Sequence, residues 1–152
     1  MSVSKSSARS VARSAARLAA VQALYQRHME RTKLPKLLDE FHQHRLGQEI
    51  EDDQYADADI DFFDDIVSGV DARCDEIDDT VTQKLADGWT VARLDKTMLQ
   101  ILRAGTYELL ARADITKAVI INEYVDVAKA FFDNREAKFV NGVLDAVGKA
   151  VR

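Results

Sequence analysis

Residues 60–85 read IDFFDDIVSGVDARCDEIDDTVTQKL, and their spacing decides the fold class. Ile60, Phe63, Val67, Val70, Cys74, Ile77, Val81 and Leu85 recur at three- and four-residue steps. That interval lines side chains up along one side of an α-helix. The positions between them are mostly acidic or small and polar, as on a solvated helix face. Asp87-Gly88 then ends the segment, because glycine readily supplies the left-handed backbone of a helix terminus. Cys74 falls on the apolar stripe and is expected to be a buried small hydrophobe rather than a reactive thiol.

The same period runs outward in both directions. Leu94, Met98, Ile101, Leu102, Leu109 and Leu110 predict a helix over 94–112. Val119, Ile120, Val125, Ala128, Phe131 and Phe132 predict another over 117–132, with Thr116 as its N-cap. The polar run Asp133-Asn134-Arg135-Glu136 reads as a break. Phe139, Val140, Val143, Leu144 and Val147 then place a last helix at about 137–151. Upstream, 8–31 is Ala-rich and helical, and Pro35 suits the first turn of a short helix over 36–46. Residues 47–59 read as an acidic loop. No strand pattern, internal repeat or interdomain linker interrupts this, so the expected class is all-α. The expected organisation is a flexible basic N-terminus over 1–8 and a single helical domain over 9–152.

Composition narrows the function. The chain has 152 residues and one Cys, which excludes an internal disulfide framework. It lacks an apolar run of the ~20 residues a membrane span needs, and its basic start lacks the apolar core of a secretory signal. A cytoplasmic protein without membrane attachment is expected. The net charge of −5 hides a strong asymmetry. Residues 1–36 carry eight bases against Glu30 alone, whereas residues 37–79 carry sixteen acids against Arg45 and Arg73. A basic arm for a polyanion beside an acidic surface is the physical reading.

Catalytic and metal chemistries find little support. The six Gly are scattered, with neither dinucleotide nor P-loop spacing. His42 and His44 are two apart and do not share a helix face. The pairs Asp52-Asp53, Asp64-Asp65 and Asp78-Asp79 fall between apolar positions and read as solvated acids. Ser6 and Ser7 have no His or acid pattern nearby to activate them. No cofactor, metal or catalytic residue is expected.

Lys5, Arg9, Arg13 and Arg17 stand out, four bases at strict four-residue steps with no acid before Glu30. Such bases repel unless an anion neutralises them, and guanidinium forks suit phosphate oxygens. The alternative is a terminus whose bases simply face solvent.

Several blocks resemble one family. Ala20-Val21-Gln22-Ala23-Leu24-Tyr25, preceded by Arg17, resembles the first-helix signature of the NusB transcription antitermination factors. Leu102-Arg103 with Tyr107-Glu108-Leu109-Leu110 is similar to the central motif. Ile121-Asn122-Glu123, Ala128-Lys129 and Lys138-Phe139-Val140-Asn141-Gly142-Val143-Leu144-Asp145 resemble the C-terminal signature, in order and spacing. The last block is the most specific, and the resemblance covers about residues 9–149.

The resemblance implies a compact fold of two packed three-helix bundles. It also implies pairing with NusE, a ribosomal protein acting outside the ribosome. The pair would bind single-stranded boxA RNA, chiefly in ribosomal RNA leaders, and join the antitermination complex of RNA polymerase. Arg13 and Arg17 match basic positions of the family, and Lys5 and Arg9 extend the stripe; all four are expected on phosphates. Gln22 is expected at a base edge. Tyr25 is expected on a base or a partner, with core packing as its alternative. Lys138 is expected on phosphate and Phe139 as a stacking ring, with burial as the rival for Phe139. Asn141-Gly142 is expected to serve close helix approach or capping. Met98 and Arg103 are assigned to the partner-facing helix, where Met98 replaces an often acidic residue. Ser14 and Ala15 stand where relatives carry further bases, and Arg135 stands where an acid can occur.

Two other readings stay in view. One is a helical adaptor of this fold that binds only protein; the other is a fragment of an RNA cytosine methyltransferase, for which the chain shows no methyl-donor site. Self-association as a homodimer through the RNA-facing surface is also left open.

Overall fold

The computed structural model describes residues 5–44 and 58–152. The acidic segment expected as a loop therefore lies outside the described residues, apart from Ala58 and Asp59. The described residues form α1 (Lys5–Glu30), α2 (Leu34–His44), α3 (Ile60–Ala72), α4 (Cys74–Thr82), a 3-10 turn (Val91–Arg93), α5 (Lys96–Ala111), α6 (Lys117–Phe131) and α7 (Asn134–Val151). They contain no strand, as the hydrophobic period predicts. The chain divides into two compact units, with the boundary between Ser68 and Gly69.

In the first unit, α1 and α2 pack together with the first turns of α3. Small side chains make the inner face of α1, where Ala16, Ala20, Val21 and Ala23 are fully buried. The chain leaves α1 through Arg31, whose backbone is left-handed at φ 56°. The Arg27 guanidinium steadies that turn by donating to the Thr32 carbonyl at 2.6 Å. Leu37 and Phe41 form the buried stripe of α2, and Phe41 stacks on Phe63 with ring centroids 5.5 Å apart. His42 Nε2 lies 2.6 Å from Asp64 Oδ1, a polar tie between α2 and α3. Asp59 starts α3: its carboxylate accepts from the Phe62 N–H at 3.0 Å, and its own N–H donates to the Ala12 carbonyl at 3.1 Å.

The second unit holds α5, α6 and α7 as a mutually packed trio, with α4 laid against α5. Ile77, Val81, Ile101, Leu102, Ile120, Val140, Leu144 and Val147 are buried in it. Each such side chain contributes roughly 1.5–3 kcal/mol of transfer free energy. Thr116 caps α6 as expected, its hydroxyl accepting from the Val119 N–H at 3.3 Å. Asp95 caps α5 through the Thr97 and Met98 N–H groups, at 2.8 and 3.1 Å.

Three boundaries differ from expectation. Residues 60–85 do not make one helix, because Arg73 adopts φ −115°, ψ 22° between α3 and α4. The apolar period runs through this kink because the Arg73 N–H still reaches the Gly69 carbonyl and the Ile77 N–H the Arg73 carbonyl. The segment then ends at Thr82, six residues before the left-handed Gly88 (φ 85°), which closes a turn. The polar run 133–136 is not a break. Asp133 is the N-cap position of α7, and Glu136 lies in its first turn, where the helix dipole favours an acid.

Gly142 is also reassigned. A side chain there would meet nothing within 4 Å, so close helix approach does not explain it, and its place in the middle of α7 leaves no cap to make. Close contact instead requires glycine at Gly69, where a Cβ would overlap the Tyr107 ring, and crowds Gly105, where a Cβ would lie 2.8 Å from Leu144.

Candidate nucleic-acid interface

The basic stripe on α1 twists from solvent into the core. Steps of four residues rotate about 40° each around a helix of 3.6 residues per turn. Arg9 is exposed, Arg13 half-buried, and Arg17 is buried at 2% exposure beside the Ala16 and Ala20 face. Lys5 opens the helix, but its side chain lies outside the described residues. The guanidinium carbons of Arg13 and Arg17 sit 4.8 and 4.9 Å from the centre of the Phe62 ring. Arg13 Nε is 3.8 Å from the Asp59 carboxylate and has no hydrogen-bond partner. The structure thus brings Arg13 and Arg17 together, but on an aromatic ring instead of in water. Of the four bases expected on phosphates, Arg17 is the one the helix drift carries inward.

Further along α1, Gln22 and Tyr25 are exposed, Tyr25 by 39%. Core packing of Tyr25, the alternative at sequence level, is not what the fold uses. Met29 shares this face at i+4 from Tyr25 and is also exposed.

In the second unit, α7 presents Lys138 and Phe139 on its second turn, both exposed. The buried residues of α7 are centred on Val140 and Leu144, and Phe139 is rotated about 100° from Val140. That rotation takes Phe139 out of the core. Phe139 helps line a groove of about 530 Å³ with Trp89, Arg93, Phe132, Arg135 and Glu136. Trp89 is 47% exposed, and the Arg93 guanidinium lies 4.9 Å from its ring centre. Arg93 Nη1 also donates to the Gly88 carbonyl at 2.9 Å, which fixes the stacked arrangement. Sequence reasoning missed Trp89, Arg93 and Glu136 because they come from separate turns with no shared period. The lone Trp directly after Asp87-Gly88 was the available signal.

The two residues assigned to a partner face inward. Met98 is 5% exposed at the groove, and Arg103 is held by Asp78. Burial alone would lower the Arg103 pKa, but the hydrogen bonds and charge of Asp78 outweigh it and raise the value. Cys74 is half-buried instead of fully buried. Desolvation, the largest effect, pushes its thiol pKa up, with nearby aspartates adding to the rise and Arg103 opposing it. Such a thiol is a poor nucleophile at neutral pH. Among the described residues no group of three or more His, Cys, Asp or Glu is placed to hold a metal ion.

Cations beside aromatic rings, on a frame whose described residues are all helical, define an all-helical protein with a candidate binding surface. The NusB family model matches residues 14–149, and the chain belongs to the NusB family. It is 70% identical over 132 residues to the transcription antitermination protein NusB of Novosphingobium aromaticivorans, covering 87% of this chain and 89% of that protein. Its fold matches that of T. maritima NusB with a TM-score of 0.74 and 31% identity, over 90% of each chain. It also matches a chain in the crystal structure of the antitermination factors NusB and NusE in complex with dsRNA. There the TM-score is 0.77 at 25% identity, over 91% of this chain and 97% of the other.

Proposed function

We propose that this protein is a non-catalytic antitermination factor of the cytoplasm. With NusE it binds the single-stranded boxA element of nascent ribosomal RNA, and the complex lets RNA polymerase read through terminators. Membership of the NusB family carries this reading, together with a solved relative bound to NusE and RNA. Arg9 and Lys5 hold phosphates from α1, and Arg13 joins them when RNA competes with Asp59. Arg17 acts from within, keeping Phe62 and the start of α3 in place. Gln22 reads a base edge, and Tyr25 serves a base or the partner. Lys138 and Phe139 supply a phosphate contact and a stacking ring. No described helix is long and apolar enough to cross a membrane, in keeping with a cytoplasmic role.

The test is assembly. Mixed with NusE and boxA RNA, the chain is expected to elute from a sizing column as one ternary complex, and a scrambled RNA is expected to elute apart. Co-elution with NusE that no RNA alters would favour the second reading, a protein-only adaptor. Two observations support that reading: burial of Arg17 and the proximity of Asp59 to Arg13 thin the basic stripe.

A further inference from the structure

The groove around Trp89 has features the general RNA-binding reading does not use. Two large rings, Trp89 and Phe139, stay 47% and 39% exposed within it, although burying them would stabilise the fold. Glu136 also lines it, and its Oε2 is out of solvent with no hydrogen-bond partner. An orphaned buried acceptor is destabilising, and a ligand N–H would satisfy it. The other acid there, Asp95, already accepts from two N–H groups of α5. Arg93 is pre-set on Trp89, and Arg135 and Lys138 are exposed on the first two turns of α7.

We propose that this groove is a nucleobase subsite. One unpaired base bearing an exocyclic amino group lies against Trp89 and Phe139 and donates that amino group to Glu136. Its flanking phosphate rests on Arg135 and Lys138. The proposal rests on the RNA-binding reading and adds to it a position and a base preference. A single strand brings a π-face, an N–H donor and an anion in fixed relation, matching the rings, the orphaned carboxylate and the cations. An apolar peptide side chain would fill the rings yet leave Glu136 without a donor. Adenine, cytosine and guanine carry the amino group; uracil does not.

Trp89 is the single tryptophan of the chain, so its emission reports the groove directly. The full chain is titrated with short oligoadenylate, oligocytidylate and oligouridylate, each also dye-labelled so that anisotropy reports binding anywhere. The expected result is quenching by the adenylate and cytidylate strands, with affinity about tenfold above the uridylate strand. Glu136→Gln, whose amide can both donate and accept, is expected to remove that preference while the helical circular dichroism spectrum is unchanged. Phe139→Ala is expected to weaken quenching. Anisotropy that reports binding while Trp89 emission stays constant would overturn the subsite and leave RNA binding intact. Equal affinity for all strands would overturn the role of Glu136. Emission that responds only to NusE would make the groove a protein surface. Absence of binding to labelled boxA RNA with NusE present would instead remove the RNA-binding reading itself.

Discussion

Arg103 on α5 holds Asp78 on α4 with both arms of its fork, Nε to Oδ1 and Nη2 to Oδ2, each at 2.8 Å. The side chains are only 13% and 22% exposed, so water screens the pair weakly. Breaking the pair leaves a half-buried carboxylate without its counter-charge. Arg103→Ala is expected to lower unfolding free energy by about 2 kcal/mol in urea denaturation. Arg103→Lys should recover only part of it, because an ammonium cannot match both oxygens. A double-mutant cycle with Asp78→Ala should show coupling; additive losses would contradict the finding.

Arg9 and Arg17 should separate cleanly. Arg9→Glu on the exposed end of α1 is expected to weaken RNA binding and flatten its salt dependence, with an unchanged melting temperature. Arg17→Glu would bury a carboxylate against Phe62 and is expected to lower the melting temperature first. Circular dichroism melts beside binding isotherms check both.

Gly69→Ala places a methyl group on the Tyr107 ring. The ring or α3 must shift, at an expected cost of about 1–3 kcal/mol. The paired change Tyr107→Leu should recover part of the loss, as measured by chemical denaturation.

Cys74 gives a pH signature. Its pKa is raised in the folded chain, so the neutral thiol is the favoured form there. Its contribution to stability is complete below the pKa of the unfolded thiol and fades as pH rises through the folded value. Iodoacetamide should therefore react more slowly with the folded chain than with the urea-unfolded one. The folded rate profile should also inflect at higher pH.

The helices were legible because burial imposes a period on sequence, and Thr116 could be recognised as a cap from its chemistry. The kink at Arg73 was not, because the apolar stripe passes through it with its hydrogen bonds nearly continuous. The basic stripe was legible as a pattern but not as a surface. Its drift around α1 decides which arginines meet water, and the apolar residues on the same helix face decide where the core begins. Phe139 fits both a core and a surface reading by spacing, and only the arc of α7 around Val140 places it outside the core. The groove was hidden, since Trp89, Arg93 and Glu136 meet only through the turn after α4 and the start of α7. Arg103 matched the family motif but serves Asp78, a use that depends on how α4 lies on α5.

The most direct test of the central claim is fluorescence anisotropy of labelled boxA RNA and a scrambled strand across a salt series, with and without NusE. The account predicts tight binding with NusE, preference for boxA and a steep loss of affinity as salt rises. Equal, negligible anisotropy changes on both strands with NusE present would contradict it.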